Sequence, residues 1–245
     1  MALILRVDVD KPYGRSTLTD KILSKVREDY WFPAIYALGY LNHLKIFLEF
    51  LSEKEIKSHI YFRKCTLPHK RWAGESLLEG HMLGLHAEDT RSYESLKKEL
   101  KGVQSCFAPK KINSFTKHGS GYLKLGRYHY PPYEPDKYLR WAETLGIPFL
   151  FGNEENIYES QNTESIYQYY PGMFWIERYR NEDSDQLTLP EVVRISINKN
   201  VVVIIHPEHF IDNKQVKTDM MELVLKARQQ KVPWITIGGQ DRLSS

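Results

Sequence analysis

The stretch Ala2–Asp10, ALILRVDVD, is the most informative part of this 245-residue chain about its fold. It begins as a run of apolar residues without polar alternation, which is typical of a strand buried on both faces. It ends in two carboxylates, Asp8 and Asp10. Residues two apart on a strand point to the same side. Both carboxylates are therefore expected to face one site at the carboxyl end of this strand.

Short apolar runs recur along the chain and predict further strands. They lie near residues 59, 82, 112, 148, 172, 201 and 232. Amphipathic helical patterns fall between them, and the stretch EPDKYLRWAETLG at 134–146 has a proline near its start and a glycine just past its end. This alternation indicates an α/β fold, which we expect to be a distorted (β/α) barrel of seven or eight parallel strands. An open doubly wound sheet is the alternative.

Length and composition indicate one globular domain over residues 1–245. Hydrophobic residues make up 42% of the chain and charged residues 27%, which suits a folded core. A polar, tyrosine-rich stretch around residues 153–190 is predicted to be an irregular insertion. The formal net charge of +3 comes from 34 basic and 31 acidic side chains without a long run of one sign. A dedicated nucleic-acid surface is therefore not expected.

The sequence predicts a cytoplasmic protein. No apolar stretch approaches the length of a membrane span, and the first residues lack the basic leader of a signal peptide. The only cysteines are Cys65 and Cys106, which suits a reducing compartment. Nothing in the sequence indicates an oligomeric state.

Ionisable side chains stand at several predicted strand ends besides the first. His86 ends the third strand and His118 follows the fourth, while His206 and His209 follow the seventh. The carboxyl ends of parallel strands meet at one rim, where α/β proteins place their sites. Nitrogen and oxygen donors suit a divalent metal such as zinc, which can polarise a carbonyl group and activate water. The sequence therefore predicts a metal site at this rim.

Each of these signals has a plainer interpretation when it is taken alone. A single histidine at a strand end can be a polar residue without a function. Asp89 and Thr90 precede a predicted helix, so capping is their simplest role. Gly119 and Gly121 fit an ordinary turn. The coincidence of the polar residues at the strand ends is what favours a site.

The order of these motifs resembles that of the polysaccharide deacetylase (NodB-homology) family over nearly the whole chain. The family's acidic pair after the first strand corresponds to Asp8 and Asp10, and its histidine after a glycine-containing strand corresponds to His86. Its Pro-Pro-Tyr motif before a helix matches residues 131–133, and its apolar strand ending in His-Pro matches His206. The match looks like a divergent branch of the family.

The resemblance implies a NodB-like barrel and a metal-dependent hydrolase that removes an acetyl group, most simply an N-acetyl group, from a sugar or glycan precursor. It implies Asp8 as the catalytic base and His206 as the general acid. It implies Asp10 and His86 as ligands of a divalent metal, for which zinc is expected. The family's second histidine of the metal motif would fall at Thr90, which is a poor ligand.

The departures from the family pattern leave some roles to be assigned within this chain. His118 is the first choice as third metal ligand because it ends a neighbouring strand, with Asp89 second and His81 third. Tyr130 stands where the family has an arginine before Pro-Pro-Tyr, and Arg127 is the nearest replacement, which could also orient the base. The fourth family motif has no good copy.

Three further residues complete the predicted site. Arg127, Tyr133 and His209 are assigned to substrate binding, with a backbone N–H near Tyr133 available for an oxyanion.

Three other functions stay open at this stage. The first is a catalytically inactive protein of the same fold that binds a carbohydrate or acts as a scaffold. The second is another metal hydrolase, such as a phosphoesterase, using His206 and His209. The third is a glycosidase with paired carboxylates, for which Glu154, Glu155 and Glu177 are candidates.

Overall fold

A computed structural model describes residues 1–69, 76–155, 157, 168–178 and 187–238. The described strands are β1 (Leu3–Val9), β2 (Ser58–Phe62), β3 (Met82–Ala87), β4 (Ser114–Lys117), β5 (Phe149–Glu154), β6 (Gln168–Gly172), β7 (Phe174–Trp175) and β8 (Val201–Ile205). The described α-helices are α1 (Leu18–Tyr30), α2 (Asn42–Glu53), α3 (Tyr93–Phe107), α4 (Pro135–Leu145), α5 (Leu189–Ser196), α6 (Pro207–Asp212) and α7 (Lys214–Gln229).

The strands form one eight-stranded sheet in the order β6-β5-β4-β3-β2-β1-β8-β7. Every strand pairing of the described sheet is parallel. The two edge strands, β6 and β7, are separated along the chain by Met173 alone. One continuous stretch thus supplies both edges, and the sheet curls into a nearly closed barrel. The expected distorted barrel of seven or eight parallel strands is confirmed, and the open sheet is wrong.

Alternate residues of β1 belong to two different hydrophobic clusters. Leu3, Leu5 and Val7 pack in the larger cluster, which also contains the buried residues of the helices. Ile4 packs in a smaller cluster with residues of β2, β5 and β8, which fills the inside of the barrel. All seven residues of β1 are buried, which explains why its sequence shows no polar alternation.

The inside of the barrel changes from apolar to polar towards the carboxyl ends of its strands. Ile4 is followed on the same side of β1 by Arg6 and Asp8, and Ile204 on β8 is followed by His206. All of these side chains are buried. Because side chains alternate along a strand, every second residue faces the barrel lumen. The polar residues therefore lie together at one end of the lumen.

Most predicted elements are present near their expected positions. The helix predicted at residues 134–146 is α4, which begins at Pro135 and ends at Leu145. Gly146 follows with a φ of 64°, and its N–H donates to the carbonyls of Ala142 and Glu143. A glycine tolerates this left-handed conformation because it has no Cβ.

Two predictions about local structure are wrong. The strand expected near residue 232 is reduced to a single β-bridge between Trp234 and Leu3. Strand β2 pairs with β1 only from Leu5 onward, so Leu3 is the position of β1 that is left for this bridge. The predicted capping role of Asp89 and Thr90 belongs instead to Ser92, whose side chain accepts a hydrogen bond from the Ser95 N–H.

The remaining sequence features find a place as follows. The stretch around residues 153–190, predicted to be an irregular insertion, contains β6 and β7, and its residues 156, 158–167 and 179–186 lie outside the described part. Cys65 and Cys106 are both free thiols. Among the described helices, none is long and apolar enough to cross a membrane.

Candidate active site

A polar pocket opens at the carboxyl ends of the barrel strands. The residues lining it are Arg6, Asp8, Asp10, His86, Lys117, His118, Gly119, Ser120, Leu125, Asn153, Trp175 and His206. The structure thus brings the two predicted catalytic residues and the three predicted metal ligands to one place, although they come from four separate stretches of the chain.

The three predicted metal ligands meet at short distances. Asp10 Oδ1 lies 3.1 Å from His86 Nε2 and 3.2 Å from His118 Nδ1, and the two nitrogens are 3.1 Å apart. Zinc bonds to nitrogen and oxygen ligands are about 2.0–2.2 Å long, so neighbouring ligand atoms of a tetrahedral site lie about 3.3–3.5 Å apart. The described side chains therefore fit one divalent ion with little movement.

The ionisation of these ligands also suits a cation. Burial would raise the pKa of Asp10, but interactions with His118, His206 and His86 hold it well below its usual range. Burial, helped by the charge of Arg63, lowers the pKa of His118 well below its usual value. Asp10 is then a carboxylate and His118 a neutral imidazole, which are the forms that bind metals.

Arg63 fixes the position of Asp10 through its backbone. This residue follows β2 and is only 1% exposed. Its Nη1 donates to the Asp10 carbonyl oxygen at 2.6 Å and pairs with Glu28 at 3.0 Å, while its other nitrogens bind Glu88. The guanidinium thereby holds the turn that presents the Asp10 side chain.

The other candidates for the third ligand lie elsewhere. Asp89 pairs with Arg91 at 2.6 Å, and His81 shares a hydrogen bond of 2.8 Å with Ser58. Thr90 is buried, with its hydroxyl 3.3 Å from the Tyr138 hydroxyl. Asp89 and His81 belong to neither metal-ligand group found among the described residues.

Asp8, the predicted base, lies beside the metal ligands and is held by Arg6. Arg6 Nε and Nη2 donate to the two carboxylate oxygens at 2.9 and 2.7 Å, and Arg6 also binds the Gly152 carbonyl and Asn153 Oδ1. Burial would raise the pKa of Asp8, but Arg6 and His86 lower it. The expectation that Arg127 orients Asp8 is therefore wrong, since Arg6 fills that position.

His206, the predicted general acid, is held by a buried carboxylate. Glu177 Oε1 accepts hydrogen bonds from the His206 backbone N–H at 2.7 Å and from Nδ1 at 3.0 Å. Burial would lower the pKa of His206, but Glu177 and Asp10 raise it to about 10. Trp175 stacks on the imidazole with ring centroids 5.5 Å apart. Nε2 faces Asp10 Oδ2 at 3.4 Å, so the protonated ring can present an N–H to the pocket.

The three residues assigned to substrate binding do not line this pocket. Tyr133 accepts a hydrogen bond from the Asn153 N–H at 2.9 Å, and His209 accepts one from Arg15 Nη1 at 2.9 Å. Arg127 is exposed and donates to Asp29 at 3.3 Å. Their roles towards a substrate remain predictions.

Glu177, His206 and His209 form a second group whose donor atoms lie within 4.8 Å of one another. The Arg15 guanidinium on His209 and the ion pair between Glu177 and His206 disfavour a second cation there. The role of this group is better described as keeping His206 protonated through its ion pair with Glu177.

Sequence reasoning missed Arg6 and Arg63, and considered Glu177 only as a glycosidase carboxylate. Arg6 had a usable signal, since it lies two residues before Asp8 in a buried strand and must face the same side. Glu177 also had one, since it follows the apolar run predicted as a strand near residue 172, but nothing in the sequence pointed to His206 as its partner.

The fold is similar to solved structures of carbohydrate deacetylases. A putative polysaccharide deacetylase from Mycobacterium smegmatis superposes with a TM-score of 0.58 and 12% identity, over 96% of this chain and 86% of that one. A probable polysaccharide deacetylase from Pseudomonas aeruginosa superposes with a TM-score of 0.56 and 9% identity, over 96% and 87%. No protein-family model matches the sequence, and no curated protein matches it.

A CE4 family pseudoenzyme from Bacillus anthracis is also similar, with a TM-score of 0.51 and 11% identity. The match covers 96% of this chain but 63% of that protein, so this chain spans less than two thirds of its length. At such identities the likeness shows the fold alone. The fold is that of the CE4 polysaccharide deacetylases, as the sequence motifs predicted.

Proposed function

We propose that this protein is a metal-dependent hydrolase that removes an acetyl group, with an N-acetyl amide as the expected bond, from an acetylated sugar or glycan precursor. The observation that carries the proposal is the meeting of three donor atoms, on Asp10, His86 and His118, beside Asp8 and His206. The likeness of the barrel to solved deacetylases supports it.

Asp10, His86 and His118 would hold the divalent ion, for which zinc is the choice that the nitrogen and oxygen donors favour. When bound, such an ion polarises the acetyl carbonyl group and lowers the pKa of water. Three protein ligands leave a coordination position open, as catalytic zinc sites require.

Asp8 and His206 supply the two proton transfers. Asp8 takes a proton from the attacking water as the new bond forms between the water oxygen and the acetyl carbon. His206 gives its Nε2 proton to the amine nitrogen as the C–N bond breaks. Arg6 keeps Asp8 ionised, and Glu177 keeps His206 protonated, so each group is held in the form that its step needs.

The metal ligands are tested by elemental analysis of the purified protein and of three histidine variants. We expect about one divalent ion per chain, lost in His86→Ala and in His118→Ala. His81→Ala is the matched control, because His81 is also buried but lies outside the cluster, and it should keep the metal. Metal retained by His118→Ala would move the third ligand elsewhere.

The base is tested by Asp8→Asn. This variant should keep its metal and lose release of acetate from N-acetylglucosamine oligosaccharides, because an amide cannot accept the water proton. Full activity in Asp8→Asn would refute the assigned role.

The second candidate function is a carbohydrate-binding protein without catalysis. It is favoured by Thr90, which stands where the family has a ligand, and by the likeness to a pseudoenzyme. The presence of both Asp8 and His206 in the pocket favours the hydrolase. Metal-loaded protein that binds acetylated sugars without releasing acetate would decide for the binding protein, and hydrolysis of an aryl phosphate would decide for a phosphoesterase.

A further inference from the structure

Helix α1 packs Leu23 against the core but leaves two other apolar side chains, Leu18 and Ile22, exposed. Its fully buried residues are Ser24 and Glu28, whereas Leu18 is 73% exposed and Ile22 is 54% exposed. Leu18, Ile22 and Lys25 are four and then three residues apart, so they lie on one outward face of the helix. A surface helix normally turns its apolar stripe to the core. The outward face of α1 is therefore shaped for contact with something outside the chain.

The loop at residues 119–128 exposes a second apolar group. Tyr122 is 94% exposed, Leu123 is 78% exposed and Leu125 is 46% exposed. Exposing adjacent apolar residues to water is energetically unfavourable. Such patches mark sites of interaction. The loop begins directly after His118, so it is attached to the candidate active site.

Direct contacts join this loop to α1. The Arg127 backbone N–H and Nη1 donate to Asp29 at 3.3 Å each, and the guanidinium lies 5.8 Å from the centre of the Tyr30 ring. Lys25 and Leu125 line the groove between the two elements, and Leu125 also lines the metal pocket. We call the outward face of α1 together with residues 119–128 the α1–loop surface.

The α1–loop surface has an excess of positive charge. Lys25, Lys124 and Arg127 are exposed, and Lys25 and Arg127 share Asp29 as their acidic partner. Two copies of the chain meeting through this surface would bring like charges together. A partner that offers both an apolar layer and negative charge would satisfy the leucines and the lysines at once.

We propose that the α1–loop surface docks the protein on an anionic lipid bilayer. Leucine side chains would enter the region between headgroups and acyl chains, the rings of Tyr30 and Tyr122 would lie at headgroup level, and the lysines would meet lipid phosphates. Because Leu125 belongs to both the surface and the metal pocket, the mouth of the pocket would then face the membrane.

The proposal is tested by co-sedimentation of the metal-loaded protein with vesicles. Vesicles of phosphatidylcholine alone are compared with vesicles that also contain phosphatidylglycerol. We expect binding to the anionic vesicles only, and weaker binding as salt screens the charges. Replacing Tyr122 and Leu123 by serine should abolish it. Replacing Lys25 and Lys124 by glutamine should weaken it about fivefold for each lysine removed.

Met221 and Leu225 provide the matched control. They lie on α7 and are 49% and 55% exposed, so their double serine variant also removes exposed apolar area, although less of it, and should bind vesicles as the parent protein does. Metal content and thermal stability of every variant show that it has folded, and they separate this test from that of the proposed chemistry.

Three results would overturn the proposal. They are no binding of the parent protein to anionic vesicles, equal loss of binding in the α7 control, and a dimer in solution that the Tyr122→Ser, Leu123→Ser variant dissociates. The last result would assign the surface to a second copy of the chain.

Discussion

At the scale of single residues, Glu177 shows how one buried carboxylate can hold a proton on a catalytic group. It is fully buried, and its Oε1 accepts hydrogen bonds from both the backbone and the ring of His206. A buried imidazolium without such a partner would lose its proton, because burial alone lowers the pKa of a histidine.

Glu177→Gln is expected to lower kcat by about a hundredfold, in the range that loss of acid catalysis produces. The glutamine amide keeps the shape of the side chain and one hydrogen-bond acceptor. It removes the negative charge that raises the pKa of His206. Metal content should stay unchanged, because Glu177 is not a ligand in the proposed site. The measurements are steady-state kinetics and elemental analysis, and unchanged kcat would show that catalysis does not depend on the Glu177 charge.

His59 makes folding sensitive to acid. Burial lowers its pKa from 6.5 to about 3, and its Nε2 accepts the Ile237 N–H. Since the folded-state pKa is the lower one, this contribution to stability is present above about pH 6.5 and is lost as the pH falls towards 3, by up to about 1.4 kcal/mol per pH unit. His59→Gln keeps an acceptor and cannot titrate. Urea unfolding should therefore depend less on pH in this variant, and an equal slope would contradict the assignment.

The residues that sequence reasoning identified at this scale are those with a positional signal. Asp8, Asp10 and His206 end buried strands, so their convergence could be predicted. Arg6 was overlooked although the period of two in β1 would have placed it beside Asp8. The partners of Arg63 and Glu177 could not be predicted, since each acts through a residue that is distant in sequence.

At the scale of secondary structure, two glycines give opposite predictions. Gly146 ends α4 with a φ of 64°, whereas Gly102 lies inside α3, and a Cβ at either would meet no atom within 4 Å. Gly146→Ala is expected to destabilise by about 1–2 kcal/mol because the left-handed conformation crowds a Cβ. Gly102→Ala should stabilise by about 0.5–1 kcal/mol because alanine loses less entropy in a helix. Chemical denaturation measures both, and the same sign for the two would contradict this account.

The success of element prediction followed the strength of the local pattern. Helix α4 was predicted to within a residue or two because proline and glycine mark its ends. The pattern failed at α1, where Leu18 and Ile22 face outward while Ser24 and Glu28 are buried. It also failed near Trp234, where the apolar run predicts a strand. From Leu5 onward β2 already pairs with that edge of β1, so only one β-bridge forms there.

At the scale of the whole molecule, a metal bound by Asp10, His86 and His118 would tie the ends of β1, β3 and β4 together. A ligand that binds only the folded state, at about a hundred times its Kd, stabilises by about 2.7 kcal/mol, or about 5–10 °C in Tm for a chain of this size. We expect zinc to raise the Tm by this amount and a chelator to reverse it. Differential scanning calorimetry measures the shift, which His81→Ala should keep and His86→Ala should lose. An equal shift in both variants would show that zinc binds elsewhere.

The parallel α/β units could be read from the sequence, because buried parallel strands leave apolar runs that end at one rim, and so could the carboxylates and imidazoles that reach that rim. The sequence favoured a barrel but left the open sheet as an alternative. The partners of these side chains follow from the tertiary structure. His118, not Asp89 or His81, lies beside Asp10 because β4 pairs next to β3. Arg6 took the place expected of Arg127, and Glu177 came to His206 because β7 pairs with β8. These choices depend on strand order and barrel closure, which join residues far apart in the chain and leave no periodic trace in the sequence.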